Sequence, residues 1–272
     1  MTSPDVRPLS ALTIAGSDSG GGAGIQADLK TLAAHGVHGL SAIAALTAQH
    51  TRGVTAVHVP SASFLRAQID ACFDDFRIAA VKLGMLANAE VIDAVADALE
   101  HHRPPHVVLD PVMVATSGAR LLESAALDAL RKRLLPLATI LTPNIPEAEL
   151  LLGHPIANDT AAEAALTELS ALGVRATLLK GGHLPGTGEM VDRYCDGQNR
   201  IAFAHERLDV EGHGTGCTLA SAIAARLCLG MALPAACAAA TDYVHGALRH
   251  AIHPGRGRVA VLEHFWQWRA NS

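Results

Sequence analysis

The chain has few aromatic residues and little positive charge. Phe, Trp and Tyr make up only 3% of its 272 residues, and 21 Lys and Arg stand against 26 Asp and Glu, which gives a formal net charge of -5. Few aromatic rings leave little material for stacking on bases, and an acidic balance does not attract a polyanion. We therefore expect no nucleic-acid partner.

Features of membrane insertion and export are also missing. The longest apolar run covers residues 218–229, which is shorter than a bilayer span, and it contains Ser221 and Arg226. This run predicts a buried core helix instead. Residues 1–10 lack the basic-then-apolar pattern of a signal peptide. We accordingly expect no membrane contact and a cytoplasmic location.

The sequence also lacks the short motifs of several enzyme classes. Its five cysteines form no CxxC pair, which disfavours a disulfide framework and a zinc ribbon. There is no Gly-Lys-Ser/Thr triplet and hence no Walker A loop, and neither HExxH nor a GxGxxG after a strand occurs. The simplest P-loop, Rossmann and metalloprotease interpretations are therefore disfavoured.

What is present is an alternation of strand-like and helix-like segments. Strands are predicted at 12–14, 40–48, 80–84, 107–109, 140–141 and 177–180, and helices at 25–36, 90–101, 125–135, 147–152, 161–172, 217–229 and 235–252. Such alternation predicts right-handed crossovers and a mostly parallel sheet. One region differs, because two short runs at 190–194 and 200–204 flank an Asp-Gly turn and predict a hairpin.

Polar residues follow the predicted strands. They are Asp18 after the first strand, Gln49 after the second, and then Asp110, Asn144 and Lys180. Parallel sheets of this type bind ligands at the carboxyl ends of their strands. These side chains are therefore predicted to converge on one edge and to form a binding site there.

The segment His213-Gly214-Thr215-Gly216-Cys217 precedes an apolar helix. Its glycines let several N–H groups point at one place, and the helix adds its positive end, which suits a phosphate. The alternative is a turn that only caps the helix. The same field is expected to lower the pKa of the Cys217 thiol towards neutrality, so that it could act as a base or, alternatively, as a nucleophile.

Phosphoryl transfer from ATP also needs acidic and basic groups. Asp110 and Glu147 are candidates for organising Mg²⁺, and Lys180, followed by two glycines, could reach a phosphate. Taken singly, each has a simpler explanation: a turn residue, a charge at a helix start and a lysine extended to solvent. Their occurrence at successive strand ends favours the functional interpretation.

Several ordered motifs resemble the hydroxymethylpyrimidine/phosphomethylpyrimidine kinase family of the ribokinase-like superfamily. They are 11–18 (ALTIAGSD), 21–30 (GGAGIQADLK), 48–49 (AQ), 82–86 (KLGML), 109–113 (LDPVM), 142–149 (TPNIPEAE), 179–183 (LKGGH) and 213–218 (HGTGCT). The resemblance spans about residues 9–268 and implies one domain over that range. It implies a three-layer αβα sandwich with a mostly parallel central sheet and a small β lid region.

The resemblance also implies roles for individual residues. Gly214, Thr215 and Gly216 would form the anion hole, and Cys217 would accept the proton of the substrate hydroxyl. The implied pyrimidine site consists of Gln49, Asp28, Met85 and Val112. The implied nucleotide site consists of Asp110, Asn144, Glu147, Lys180 and Thr215, with Asp110 and Glu147 organising Mg²⁺.

The implied reaction is ATP-dependent phosphorylation of 4-amino-5-hydroxymethyl-2-methylpyrimidine to its monophosphate and then its diphosphate, by a homodimer. The alternatives are a pyridoxine/pyridoxal kinase, a ligand-binding regulator without turnover, and, more remotely, a cysteine hydrolase using His213. Glu211-Gly212 replaces a polar pair expected before the anion-hole turn. It is predicted to add flexibility and charge near the nucleotide phosphates.

Overall fold

The computed structural model describes residues 6–113, 124–185 and 188–269. Its strands are β1 Leu9–Gly16, β2 His38–His50, β3 Gly53–His58, β4 Arg77–Leu83, β5 His106–Leu109, β6 Ile140–Leu141, β7 Thr177–Leu179, β8 Glu189–Cys195, β9 Arg200–Glu206, β10 Gly212–His213 and β11 Ala260–Val261. Its helices are α1 Gly24–Ala34, α2 Ala62–Asp75, α3 Ala89–His102, α4 Ser124–Ala129, α5 Ile145–Leu152, α6 Asp159–Ala171, α7 Thr215–Cys228, α8 Leu233–Arg249 and α9 Trp266–Arg269.

The main sheet follows the order β3-β2-β1-β4-β5-β6-β7-β8-β9. Its centre is parallel, because β1 pairs in parallel with β2 and β4, and β4 to β7 continue in the same sense. Antiparallel strands lie at both edges: β3 on β2, and the β8–β9 hairpin on β7. The prediction of a mostly parallel sheet with one terminal hairpin is confirmed.

Helices cover both faces of this sheet. Alternate side chains of β1 point to opposite faces, so that Leu12 and Ile14 join one apolar cluster and Ala11 joins the other. The first cluster includes residues of α2 to α6, and the second includes residues of α1, α7 and α8. The result is the expected three-layer αβα sandwich.

Helix α7 carries the apolar run noted in the sequence. Its residues from Thr218 to Ala225 are all buried, because the helix packs against α1, α8 and the centre of the sheet. The prediction of a buried core helix at 218–229 is confirmed. None of the helices in the described ranges has the length and apolar content that a bilayer crossing requires.

The sequence prediction missed β3, α2 and the three short elements β10, β11 and α9, and it misjudged the helix at 125–135. Strand β3 is mostly exposed and α2 buries only Leu65 and Ile69, so neither shows a clear apolar period. The helix predicted at 125–135 is α-helical only as far as Ala129. It continues as a π turn over Leu130–Leu134 and a 3-10 turn over Leu135–Leu137, where Pro136 has no N–H with which to extend the helix.

Candidate active site

Three of the predicted site residues meet where β5, β6 and β7 end. Lys180 Nζ lies 2.9 Å from Asp110 Oδ1 and 3.7 Å from Glu147 Oε2. Burial opposes the charge on Lys180, but the two carboxylates outweigh it and raise the pKa of the lysine. The convergence predicted from the strand ends is therefore present in the fold. A lysine held between two carboxylates can meet an incoming phosphate as a fixed cation.

Asn144 and Glu147 begin helix α5 as a capping box. The Asn144 side chain accepts the N–H of Glu147 at 2.8 Å, and the Glu147 carboxylate accepts the N–H of Asn144 at 2.8 Å. Burial raises the pKa of Glu147 to about 7, although Lys180 acts in the opposite direction. The two residues thus hold the helix end in place and position a second acidic group beside Lys180.

The glycines of the anion-hole turn are required by close packing. Gly214 has φ +86°, and a Cβ there would lie 2.0 Å from the carbonyl oxygen of Gly22. A Cβ on Gly216 would lie 3.0 Å from Lys180 Nζ and 3.4 Å from Asp110 Oδ2. The turn therefore brings the N-terminus of α7 directly beside Lys180 and its partner Asp110, and a helix N-terminus next to a lysine suits an anion.

Cys217 lies in the first turn of α7, but its thiol does not have the low pKa predicted for it. Burial raises the pKa of Cys217 to about 11, and the neighbouring Lys82 only partly offsets this. The helix-entry argument considered the local field and omitted desolvation, which disfavours a thiolate. In this structure Cys217 is a protonated thiol at neutral pH.

Below Cys217 lies a completely buried ion pair. Lys82 Nζ is 2.9 Å from Asp28 Oδ2, and the two side chains are 1% and 0% exposed. Asp28 also accepts the hydroxyl of Thr13 at 2.6 Å and that of Ser221, one turn after Cys217 on α7, at 2.7 Å. The resemblance placed Asp28 at the substrate ring. In the structure its carboxylate is enclosed by protein and is not exposed to a ligand.

Gln49 lies near the end of β2 in a polar group that also contains Asp18 and His213. Its amide is 3.1 Å from His213 Nε2, which is 3.0 Å from Asp18 Oδ2. The sequence prediction brought Asp18 and Gln49 to one edge of the sheet but did not place His213 between them. The available signal was Asp18 before a run of glycines, since an Asp side chain commonly binds the backbone of such a turn.

Met85 and Val112 follow β4 and β5 and are partly buried at the same edge of the sheet. Met85 Sδ would be 3.2 Å from a Cβ on Gly16, at the end of β1. The two apolar side chains are thus placed at the strand ends where the resemblance puts the pocket walls.

Gly212 is held firmly, contrary to the flexibility predicted for it. It belongs to β10, which pairs with β11, and the Ala260 N–H donates to the Glu211 carbonyl at 2.9 Å. A Cβ on Gly212 would lie 2.6 Å from Leu248 Cδ1 and would collide with α8. Close packing, and not freedom of the backbone, accounts for glycine here.

The assembled site combines a helix N-terminus, a buried lysine between carboxylates and a thiol at the strand ends of a parallel sheet. The Gly-rich loop packs against the turn through Gly22, and the amide of Gln49 lies beside His213. The fold and the site together define an α/β phosphotransferase, because groups suited to binding phosphate gather at the strand ends of a mostly parallel sheet.

Comparison with known proteins identifies the family. The family model for phosphomethylpyrimidine kinase matches residues 18–262. The hydroxymethylpyrimidine/phosphomethylpyrimidine kinase of Rhizobium meliloti is 50% identical over 262 residues, which cover 95% of this chain and 97% of that protein. The Streptomyces coelicolor protein of the same name is 46% identical over 97% of each chain.

Solved structures agree with this assignment. A phosphomethylpyrimidine kinase from Clostridium difficile is 42% identical, with a TM-score of 0.78 over 87% of this chain and 97% of that one. The ADP complex of Bacillus subtilis pyridoxal kinase is 31% identical, with a TM-score of 0.87 over 97% and 99% of the two chains. The chain belongs to the phosphomethylpyrimidine kinase family. It has the ribokinase-like fold that the motifs implied, and the family makes ATP its co-substrate.

Proposed function

We propose that the protein transfers phosphate from ATP to 4-amino-5-hydroxymethyl-2-methylpyrimidine and then to the monophosphate so formed, as a step in thiamine biosynthesis. The observation that carries this proposal is the 50% identity, over nearly the whole chain, to a kinase named for both substrates. The site supports it, because the phosphate-binding groups and the polar amide of Gln49 lie at one edge of the sheet.

The proposed arrangement gives each side chain a task. The pyrimidine lies between Met85 and Val112 with its polar edge on Gln49, and its hydroxymethyl group points to Cys217. The transferring phosphoryl group is bound by the N–H groups of Gly214, Thr215 and Gly216 and by Lys180. Transfer of this kind depends mainly on alignment and charge stabilisation, which these fixed groups supply.

Asp28 enters this proposal as a positioning residue. It holds Lys82, and Lys82 lowers the pKa of the Cys217 thiol against the effect of burial. The thiol can accept a proton only after it has lost its own. The cation Lys82 favours that loss, whereas the charge of Asp28 opposes it. We therefore assign Lys82 to the base and Asp28 to holding Lys82 in place, and neither to the ring.

Mg²⁺ fits the acidic groups as a companion of the nucleotide. Among the described residues no cluster of three or more His, Cys, Asp or Glu side chains could hold a metal alone. Asp110 and Glu147 flank Lys180, and Mg²⁺ is commonly held by one or two carboxylates together with substrate phosphates and water. When bound, the ion would neutralise phosphate charge. Asp110 and Glu147 would keep it at the mouth of the anion hole.

We further propose a homodimer in the cytoplasm, without a nucleic-acid or membrane partner. The support for a dimer is the β-extension, which we define as residues 46–58, the outer half of β2 together with β3. Leu46 and Val57 are 43% and 46% exposed there, and such exposed apolar groups on paired strands suit contact with a second copy. In a dimer this extension would serve as the β lid.

A second candidate acceptor is pyridoxal. The supporting observation is the likeness to pyridoxal kinases of Bacillus subtilis and Staphylococcus aureus, with TM-scores of 0.87 and 0.88 at 31% and 29% identity. The pyrimidine is preferred because the relatives at 45–50% identity carry its name.

The deciding experiment incubates the protein with ATP, Mg²⁺ and either the hydroxymethylpyrimidine or pyridoxal, and identifies the products by mass. We expect the pyrimidine monophosphate first and the diphosphate later. Phosphorylation of pyridoxal alone would favour the second candidate. Binding of the pyrimidine without any phosphorylated product would make the protein a regulator. The Cys217→Ala variant serves as the low-turnover control.

A further inference from the structure

The loop after β1 is held by one carboxylate. Asp18 accepts the N–H groups of Gly20, Gly22 and Ala23 at 2.8, 3.0 and 2.8 Å. Burial opposes its ionisation, but these contacts and the bond with His213 outweigh burial and lower the pKa of Asp18. Asp18 is therefore an anion, which can only accept hydrogen bonds.

This anion determines the state of one nitrogen of His213. His213 Nε2 lies 3.0 Å from Asp18 Oδ2. Because Asp18 has no hydrogen to give, Nε2 must carry one, whether the imidazole is neutral or protonated. His213 thus presents an N–H, not a lone pair, to this part of the site.

Gln49 places its amide between His213 and Thr47. Nε2 of Gln49 lies 3.1 Å from His213 Nε2, and its Oε1 lies 3.1 Å from Thr47 Oγ1. The single hydroxyl hydrogen of Thr47 is taken by the Ser17 carbonyl at 2.8 Å. In this orientation two donors face each other at His213, and two acceptors face each other at Thr47.

A half-turn of the amide removes both conflicts. Oε1 then shares the single hydrogen of His213 Nε2 with Asp18 Oδ2, and Nε2 donates to the lone pair of Thr47 Oγ1. Amide nitrogen and oxygen are nearly the same size, so their partners decide the orientation. Both partners here, the N–H of His213 and the lone pair of Thr47 Oγ1, favour the same orientation.

We propose that Asp18 and His213 are positioning residues that lock the Gln49 amide in this orientation and thereby select the ring edge that the kinase accepts. The inference rests on the proposed function, in which Gln49 contacts the ring. With one side of the amide engaged by protein, Gln49 has one acceptor site on Oε1 and one N–H on Nε2 left for a ligand. These match an exocyclic amino group next to an unprotonated ring nitrogen. They mismatch an oxo group next to a ring N–H.

An unrestrained glutamine could bind the amino edge or the oxo edge equally well, because its amide can rotate to match either one. Against the oxo edge, the locked amide would place its Oε1 opposite the oxo oxygen and its N–H opposite the ring N–H, so that neither pair forms a hydrogen bond. Polar groups left unpaired in this way commonly cost about 10²-fold or more in discrimination. The ring selectivity of the site is therefore set by two residues that need not touch the ring.

The test compares kcat/KM for the hydroxymethylpyrimidine and for its 4-oxo analogue, which carries a ring N–H. In the wild type we expect the amino substrate to be preferred by about 10²-fold or more. The His213→Leu variant removes the N–H and should lower this ratio at least about tenfold, because the amide can rotate. A general loss of activity next to the anion hole acts on both substrates and cancels in the ratio.

Two further variants separate positioning from a structural effect. His213→Gln keeps a donor towards Asp18 and should keep the wild-type ratio, while Thr47→Val removes the second anchor and should lower it. His154→Leu, at an exposed His–Glu pair, is the matched control and should change nothing. If His213→Leu is too unstable to assay, Thr47→Val alone decides.

An unchanged ratio in both His213→Leu and Thr47→Val would overturn the proposal. Failure of the proposed function looks different, because the wild type itself would then phosphorylate neither ring. A wild type that accepts both rings equally would preserve the kinase function and reject the lock.

Discussion

Two buried lysines, Lys82 and Lys180, differ in what surrounds them. Lys82 lies in β4 and Lys180 directly follows β7. Each pairs with an Asp at 2.9 Å, and the acidic partners raise the pKa of each lysine. Lys82 is 1% exposed and its partner Asp28 is fully enclosed. Lys180 is 14% exposed, borders the anion-hole turn and is shared between Asp110 and Glu147.

The difference shows how one chemical pair can serve two purposes. The Lys82–Asp28 pair is enclosed, so neither charge is exposed to a ligand; both act on Cys217, where the lysine lowers the thiol pKa and the aspartate raises it. The Lys180 pair is open on one side, so a phosphate can compete for the ammonium group. The two lysines differ in their position relative to the end of the sheet. Lys82 lies inside a strand and acts on Cys217, whereas Lys180 lies beyond a strand end, where it can bind phosphate.

The largest effect should come from breaking the closed pair. Lys82→Met leaves Asp28 charged in the core, and we expect the free energy of unfolding to fall by about 3–5 kcal/mol. Urea denaturation measures this. The double variant Lys82→Met with Asp28→Leu removes both charges and should recover most of the stability.

The control is Arg133→Ala, which breaks exposed pairs with Asp93 and Asp97 and should cost less than about 1 kcal/mol. A Lys82→Met protein as stable as the wild type would show that the two lysines are not distinguished by enclosure.

Breaking the open pair of Lys180 should lower kcat more than it lowers the free energy of unfolding. Lys180→Met removes the cation that faces the phosphate, and we expect kcat to fall about 10³-fold. The loss of stability should be smaller than for Lys82→Met, because Glu147, with a pKa of about 7, can take up a proton and relieve the remaining charge. Steady-state kinetics and urea denaturation on the same sample measure both. Lys132→Met, at an exposed lysine, is the control. A Lys180 variant with normal kcat would contradict the phosphate role.

The smallest effect concerns the thiol between the two pairs. Cys217→Ala should lower kcat about 10²-fold with little change in the KM of the pyrimidine, because general bases contribute at about this level. Cys72→Ala, on α2 and partly buried, is the control.

The raised pKa of the Cys217 thiol predicts how kcat/KM depends on pH. A base works when deprotonated, and the pKa of Cys217 is raised to about 11, so kcat/KM of the wild type should keep rising from neutral pH into the alkaline range. Cys217→Asp supplies a carboxylate, whose unperturbed pKa of about 4 lies far below that of a thiol. Burial raises the pKa of either group, so the activity of the variant should level off at a much lower pH than that of the wild type. Parallel pH profiles that do not differ would rule out Cys217 as the base.

Much of the fold could be predicted from local patterns. Apolar periodicity predicted the central strands and most helices. The rule that ligands bind at strand ends predicted that Asp110, Glu147 and Lys180 lie close together. β3 and α2 were missed because their residues are mostly exposed or only partly buried, so that packing, and not an internal period, holds them.

The sequence alone determined the αβα architecture and the family, because hydrophobic period and ordered motifs are properties of neighbouring residues. Only the tertiary structure decided that Asp28 is enclosed, that Cys217 is a protonated thiol and that Asp18 and His213 restrain Gln49. Burial and hydrogen-bond partners depend on residues far apart in the chain, such as Asp28 with Lys82 and Asp18 with His213. Desolvation and donor–acceptor matching therefore appear only once the chain has folded.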